Sequence, residues 1–207
     1  LSLDASNNLY ATGSFSGTLS GMVSAGSSDV LLVNILSNGA EIWRKQVGGV
    51  NYDQGLGISV GQAGEVYIIG QMGGTGDFDP GPEELLLTGT SFITAIDDNG
   101  DLYRSAKAID VNSSGGVPGG FSAISALNGK IYLAGTYQGG DDLDPSSENL
   151  TLPFEGTSDA FLSVFTPEPV TITIDENTAN GTVVATNVAG TAIVSGNTEG
   201  AFELVNS

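Results

Sequence analysis

The chain has 207 residues, 31 of them Gly and none Cys, with 40% hydrophobic residues. That is a length for one or two domains, and it excludes a disulfide-stapled mini-protein and a zinc–cysteine module. Five Lys and Arg against 24 Asp and Glu give a net charge of −19, which argues against nucleic acid or anionic lipid as partners because their phosphates would be repelled.

With no His and no Cys, the commonest general base and the thiol nucleophile are missing. Any chemistry falls to carboxylates, hydroxyls, Tyr or bound metal. No stretch approaches the roughly 20 apolar residues of a membrane helix, so no membrane insertion is expected. No basic, apolar, small-residue signal opens the chain. It begins at Leu1, and its first residues already read as strand, so it is expected to be a fragment of a longer protein.

In chain order, the first element is Asn8-Leu9-Tyr10-Ala11-Thr12-Gly13-Ser14-Phe15. Ser28-Asp29-Val30-Leu31-Leu32-Val33 follows, then an Asn38-Gly39 turn and a short strand carrying Trp43-Arg44. The order then repeats. After an apolar strand at 57–60 come Glu65-Val66-Tyr67-Ile68-Ile69-Gly70-Gln71-Met72, Thr90-Ser91-Phe92-Ile93-Thr94-Ala95, an Asn99-Gly100 turn and Tyr103-Arg104. A third copy opens at 121–126, continues through Lys130-Ile131-Tyr132-Leu133-Ala134-Gly135-Thr136-Tyr137 and reaches Ser158-Asp159-Ala160-Phe161-Leu162-Ser163.

The repeated Tyr falls at 10, 67 and 132, spacings of 57 and 65. Asn-Gly between apolar runs predicts hairpins with type I′ turns, which need positive φ at both residues. Four short strands per repeat of roughly 40 to 50 residues, stretched by insertions, mark a propeller blade. The prediction is an all-β fold: a partial β-propeller of about three four-stranded blades (1–55, 56–120 and 121–165). Tyr10, Tyr67 and Tyr132, with Leu9, Val66 and Ile131, are expected to pack between blades. Gly13, Gly70 and Gly135 are expected where a strand end is crowded or φ is positive.

The third unit lacks a fourth strand after Phe165, and a strand from the N-terminal side of the parent chain is expected to complete it. Two prolines in Thr166-Pro167-Glu168-Pro169 predict an extended linker and a domain boundary at 166–169. Beyond it, β-branched runs at 170–174 and 182–188 and short runs at 192–194 and 201–204 read as strands of a sandwich. The 38 residues of 170–207 fall short of the roughly 100 of a complete one, so this is a truncated β-sandwich.

The constellation with chemical interest is a pair of acidic loops, Asp77-Phe78-Asp79-Pro80-Gly81 and Asp141-Asp142-Leu143-Asp144-Pro145, which share the 65-residue offset of the Tyr strands. Carboxylates at alternate positions put hard oxygens on one side of a turn, as calcium prefers, making Asp77, Asp79, Asp142 and Asp144 candidate ligands. Asp before Pro also forms turns by bonding to nearby backbone. The first unit has Ser20-Gly21-Met22 at the aligned place and folds without the acids. From Ile131 to Ser207 there are 11 Asp or Glu and no Lys or Arg, a solvated surface suited to salty or calcium-rich surroundings.

Gly13-Ser14-Phe15-Ser16-Gly17-Thr18, Asn38 to Lys45, Asp77 to Gly81 and Ser158 to Phe161 resemble bacterial secreted β-propeller (SBBP) repeats over about 1–165. Ile174-Asp175-Glu176-Asn177 followed by Asn180-Gly181-Thr182-Val183-Val184 looks like the opening of a cadherin-like domain. Glu176 stands where that family places a calcium-binding Glu, while the family's partner acidic motifs are absent from the chain.

The resemblance implies a large exported protein, extracellular or at the cell surface, with the remaining blades and domains of the parent as neighbours. The expected function is non-catalytic binding or scaffolding in adhesion or matrix contact, toward an extracellular protein or glycan. The contact surface is expected on blade loops such as 73–82 and 139–145, with calcium as cofactor. The rival reading is a propeller enzyme acting on polysaccharide through carboxylates.

Overall fold

The computed structural model describes residues 1–109, 120–137 and 159–166, together with three short strands near the C-terminus. The described residues contain no helix, and the protein is all-β. The chain divides into two compact units, Leu1–Pro167 and Glu168–Ser207.

The first unit opens with β1 (Ser2–Leu3), β2 (Leu9–Phe15), the small hairpin β3 (Thr18–Leu19) and β4 (Met22–Val23), β5 (Asp29–Ile35) and β6 (Glu41–Gly49). β1, β2, β5 and β6 pair in that order as an antiparallel meander, the first blade. β7 (Gln54–Val60), β8 (Val66–Asp77), β9 (Leu86–Ile96) and β10 (Leu102–Ile109) form the second. β11 (Gly120–Leu127), β12 (Lys130–Tyr137) and β13 (Asp159–Phe165) are the described strands of the third. In the second unit β14 (Val183–Ala185), β15 (Ala192–Ser195) and β16 (Glu203–Asn206) make a three-stranded antiparallel sheet. The predicted strand at 170–174 lies outside the described residues.

The blades stack through alternate side chains. On β8, Val66 and Ile68 join Tyr10, Val30 and Leu32 of the first blade in one core. Tyr67 and Ile69, one residue out of step, join Ile131, Leu133 and Phe161 of the third blade in another. A strand with period two and apolar residues at every position has to be covered on both faces, and that explains the unbroken apolar run from Val66 to Ile69. Burial of apolar surface, worth roughly 25 cal/mol per Å², favours both contacts.

The structure revises three local expectations. Among the described residues, the one Asn-Gly pair with positive φ at both positions is Asn128–Gly129, 53° and 70°, and it makes the two-residue turn from β11 to β12. At Asn38–Gly39 and Asn99–Gly100 only the glycine does, at 90° and 82°. There Gly39 N donates to Leu36 O at 2.8 Å and Gly100 N to Asp97 O at 3.1 Å, a three-residue turn closed by a left-handed glycine. Asp97 stabilises the second of these by accepting from Asn99 N at 2.9 Å and Asp101 N at 3.0 Å.

The second revision concerns the strand-β9 block. Gly13 pairs with Leu31 and Gly135 with Phe161, whereas Gly70 pairs with Phe92. The second copy is therefore shifted by one residue from the sequence alignment, which set Ile93 against Leu31 and Phe161. A one-residue slip would turn every side chain to the wrong face, and packing of the Phe92 ring over Gly70 fixes the register. The third revision is that β8 does not end at the glycine. A bulge between Gln71 and Gly74, with Gly74 at φ 105°, carries it on to Asp77 opposite Leu86. This distal part also pairs with the end of β6, Gly48 with Asp77 and Gly49 with Gly76, joining the first two blades in one eight-stranded sheet. The stretch 73–77 is strand, not loop.

Candidate contact rim

Three connections meet at one end of the first two blades: residues 16–28 between β2 and β5, 50–53 between β6 and β7, and 78–85 between β8 and β9. Asp53, 3% exposed, fastens the first two of them to the bulge of β8. Its Oδ2 accepts Gly49 N at 2.7 Å and its Oδ1 accepts Gly73 N at 3.1 Å. Its own N–H donates to Ser28 O at 2.9 Å, and Ser28 Oγ donates to Asp53 O at 3.2 Å. Asn51 adds a bond from Nδ2 to Gly73 O. The carboxylate thus ties the end of β6 to the bulge of β8, and the backbone of the same residue ties both to Ser28, just before β5. On the backbone so held, Val50 and Tyr52 are 71% and 49% exposed. Large apolar groups on a fixed scaffold lose little entropy when a partner covers them.

Asp29 is buried beside this knot. Its oxygens accept Ala25 N at 3.2 and 3.0 Å and Gln46 Nε2 at 3.3 Å. Burial, together with the nearby Asp53 charge, raises its pKa above the ordinary 3.8, against the lowering effect of the backbone N–H groups of Ala25 and Gly26. The folded state therefore holds the proton more tightly than the unfolded chain, so the charged form costs stability at neutral pH and the cost disappears as pH falls through the folded pKa toward 3.8. The expected result with Asp29→Asn is a melting temperature that gains on the parent between pH 4 and pH 7. A difference that stays constant or shrinks over that range, measured by calorimetric melts in one buffer series, would show that the Asp29 charge costs nothing.

The structure places Asp77 and Asp79 in a turn. Asp77 Oδ1 accepts Asp79 N at 3.1 Å and Leu85 N at 2.9 Å, and Asp79 Oδ1 accepts Gly81 N at 2.7 Å. Phe78 N donates to Leu85 O at 2.9 Å. Between the two acids the fully buried Phe78 plugs into the core 4.7 Å from the Phe92 ring. The loop is shaped by these acids and anchored by the residue between them. Among the described residues no three acidic side chains converge as a metal site would require. Asp142, Asp144 and Glu176 lie outside the described residues, as does the loop at 139–145.

Sequence reasoning passed over Asp53, Val50 and Tyr52, which stand in a connection without an aligned copy. The one available signal was an Asp between two flexible stretches, Gly48-Gly49 and Gly55. In the first unit, the place of the acidic loop is taken by the β3–β4 hairpin, whose Ser20 and Gly21 have φ of 48° and 92°, a two-residue turn needing no carboxylate. No family model matches the chain, and no curated protein matches its sequence.

Proposed function

We propose that the protein is a non-catalytic binding and scaffolding module of an exported bacterial cell-surface protein, in which secreted-propeller repeats precede a cadherin-like domain and serve adhesion or matrix contact. Repeated antiparallel meanders, stacked with the tyrosines of one blade against the next, support the propeller reading. The observation that carries the binding reading is the exposure of Val50 and Tyr52 on a backbone fastened by Asp53. The partner is an extracellular protein or glycan, for which Tyr52 offers an aromatic face and a hydroxyl. The hydroxyl donates to Gln54 Oε1 at 2.6 Å, which holds the ring in place.

Calcium belongs to the same proposal. The turn uses Oδ1 of Asp77 and of Asp79, so a cation at this loop would draw on their Oδ2 atoms, backbone carbonyls and water.

A panel of matrix proteins and soluble polysaccharides, scored for binding and for cleavage in millimolar calcium and again in chelator, tests these points. Binding without cleavage is expected, with loss in Val50→Asp and Tyr52→Ala at an unchanged melt. Cleavage abolished by a carboxylate substitution would replace this reading with the enzyme. A site saturated 100-fold over its dissociation constant adds about 2.7 kcal/mol to stability, and calcium that leaves both melt and binding unmoved removes the metal from the proposal.

A further inference from the structure

Tyr52 stands in the chain between two amide side chains, each half used. Asn51 Nδ2 donates to Gly73 O, which leaves Asn51 Oδ1 as an acceptor with no donor among the described residues. Gln54 Oε1 accepts the Tyr52 hydroxyl at 2.6 Å, which leaves the two hydrogens of Gln54 Nε2 with no acceptor among the described residues. Asn51 and Tyr52 are exposed and Gln54 is half-buried, and neither free amide atom is sealed from water. The connection thus offers an acceptor, an aromatic ring and a donor together.

All three are held in place. The Asn51 amide is bonded to the bulge of β8, the Tyr52 backbone bridges to Ser28, and the Tyr52 ring is tethered through its hydroxyl to Gln54. Asp53, next in the chain, fixes Gly49 and Gly73 behind them. A ligand therefore meets groups whose ordering cost is already met by the fold.

A sugar ring asks for this combination. Its hydroxyls each donate and accept, and the C–H bonds along one of its faces are drawn to the electron-rich face of an aromatic ring. Charge narrows the class further. The three connections of the rim carry Asp53, Asp79, Glu83 and Glu84 and no Lys or Arg, so a carboxylated or sulfated sugar is repelled and finds no cation to pair with. A protein partner of ordinary size would cover about 800 Å² and would have to bring basic residues to meet the exposed Glu83 and Glu84. A neutral sugar needs no such compensation.

We infer that the rim binds a neutral glycan, with one pyranose ring seated on Tyr52 and its hydroxyls shared between Asn51 Oδ1 and Gln54 Nε2, and that it discriminates against uronic and sulfated sugars. This rests on the rim being the binding surface proposed above, and adds the ligand class and the cause of its selectivity.

The test is isothermal titration of the whole chain with cellohexaose, laminarihexaose and mannohexaose as neutral probes, hexaguluronate as the acidic one and hexalysine as a cationic peptide. A neutral hexaose should bind with a dissociation constant of about 0.1 to 1 mM, unchanged between low salt and about 0.5 M sodium chloride because no charge pair forms. Hexaguluronate should bind at least about tenfold more weakly in low salt. Tyr52→Ala should weaken the neutral hexaose by about tenfold or more, and Gln54→Leu by about threefold to tenfold, each with the parent's melt. Tyr52→Phe keeps the ring and should stay within about threefold of the parent.

Neutral binding that survives both Tyr52→Ala and Gln54→Leu overturns the inference, as does hexaguluronate binding as tightly as the neutral sugars. Hexalysine bound in preference to every sugar and released by salt also overturns it, and makes the rim a contact for a cationic protein segment. If no sugar binds while a matrix protein binds through Val50 and Tyr52, the glycan assignment falls and the binding reading stands. If neither the sugars nor the matrix proteins bind, both fall.

Discussion

Gly70→Ala is expected to destabilise the protein by about 3 kcal/mol or more, while Gly13→Ala, at the equivalent place in the first blade, costs well under 1 kcal/mol. A Cβ on Gly70 would overlap the Gln54 carbonyl oxygen and lie 2.5 Å from Phe92 Cε1. Neither obstacle can yield, because Gln54 belongs to β7, paired along β8, and Phe92 fills the core between blades. Gly135→Ala should behave in the same way, with its Cβ overlapping Gly120 O and 2.8 Å from Phe161 Cε1. Around Gly13 nothing lies within 4 Å of an added Cβ, because β1 pairs only with Leu9 and Tyr10 and stops short of it. Urea unfolding of the three variants decides: similar losses at 13 and 70 would mean that strand propensity, not the close approach of the neighbouring strand, sets the cost.

Asp53→Ala should cost about 3 to 6 kcal/mol, because it strands two N–H groups that a carboxylate now accepts, each such bond being worth about 1.5 to 3 kcal/mol. Asp53→Asn keeps one acceptor oxygen and should lose roughly half as much. The effect has a local signature. The amides of Gly49 and Gly73 should lose hydrogen-exchange protection ahead of those of β8 and β9, and ligand binding through Val50 and Tyr52 should weaken before the protein unfolds. Uniform loss of protection across the sheet would show that Asp53 supports the fold at large and does not fasten the rim in particular.

The all-β class was legible in the sequence because period-two alternation and a repeated Tyr survive any detail of the turns. The packing of Tyr10 and Tyr67 against the next blade was legible from the repeat of that Tyr, whereas the unbroken apolar run from Val66 to Ile69 took its meaning from the structure. Register was less so. The shift at Phe92 comes from a ring lying over a glycine on a neighbouring strand, a contact between residues 22 apart. The Asn-Gly pairs were misread as one turn type because both three-residue and two-residue loops want a glycine at their end, and only the position of the preceding strand pair separates them. Asp77 and Asp79 were read as candidate calcium ligands, with an Asp-Pro turn as the alternative, and the bonds their Oδ1 atoms accept shape a turn; Phe78 between them, the residue that anchors the loop, had no role in that reading. Asp53 escaped because its partners are backbone amides of Gly49 and Gly73, and backbone leaves no mark in a sequence.

The chain holds a single tryptophan, and its position makes it a reporter. Trp43, on β6, stands edge-on to Tyr10 at 6.0 Å and 65°, and its Nε1 donates to Asp98 O at 2.7 Å in the β9–β10 turn of the second blade. Beside it Lys45 Nζ pairs with Asp101 Oδ1 at 3.1 Å. The whole indole emission of the protein therefore originates at the seam between two blades. Separation of that seam would expose the ring to water and shift its spectrum to the red even while each meander kept its ladder of backbone bonds. Fluorescence and far-ultraviolet dichroism thus read different events in this molecule, the parting of its blades and the melting of its strands.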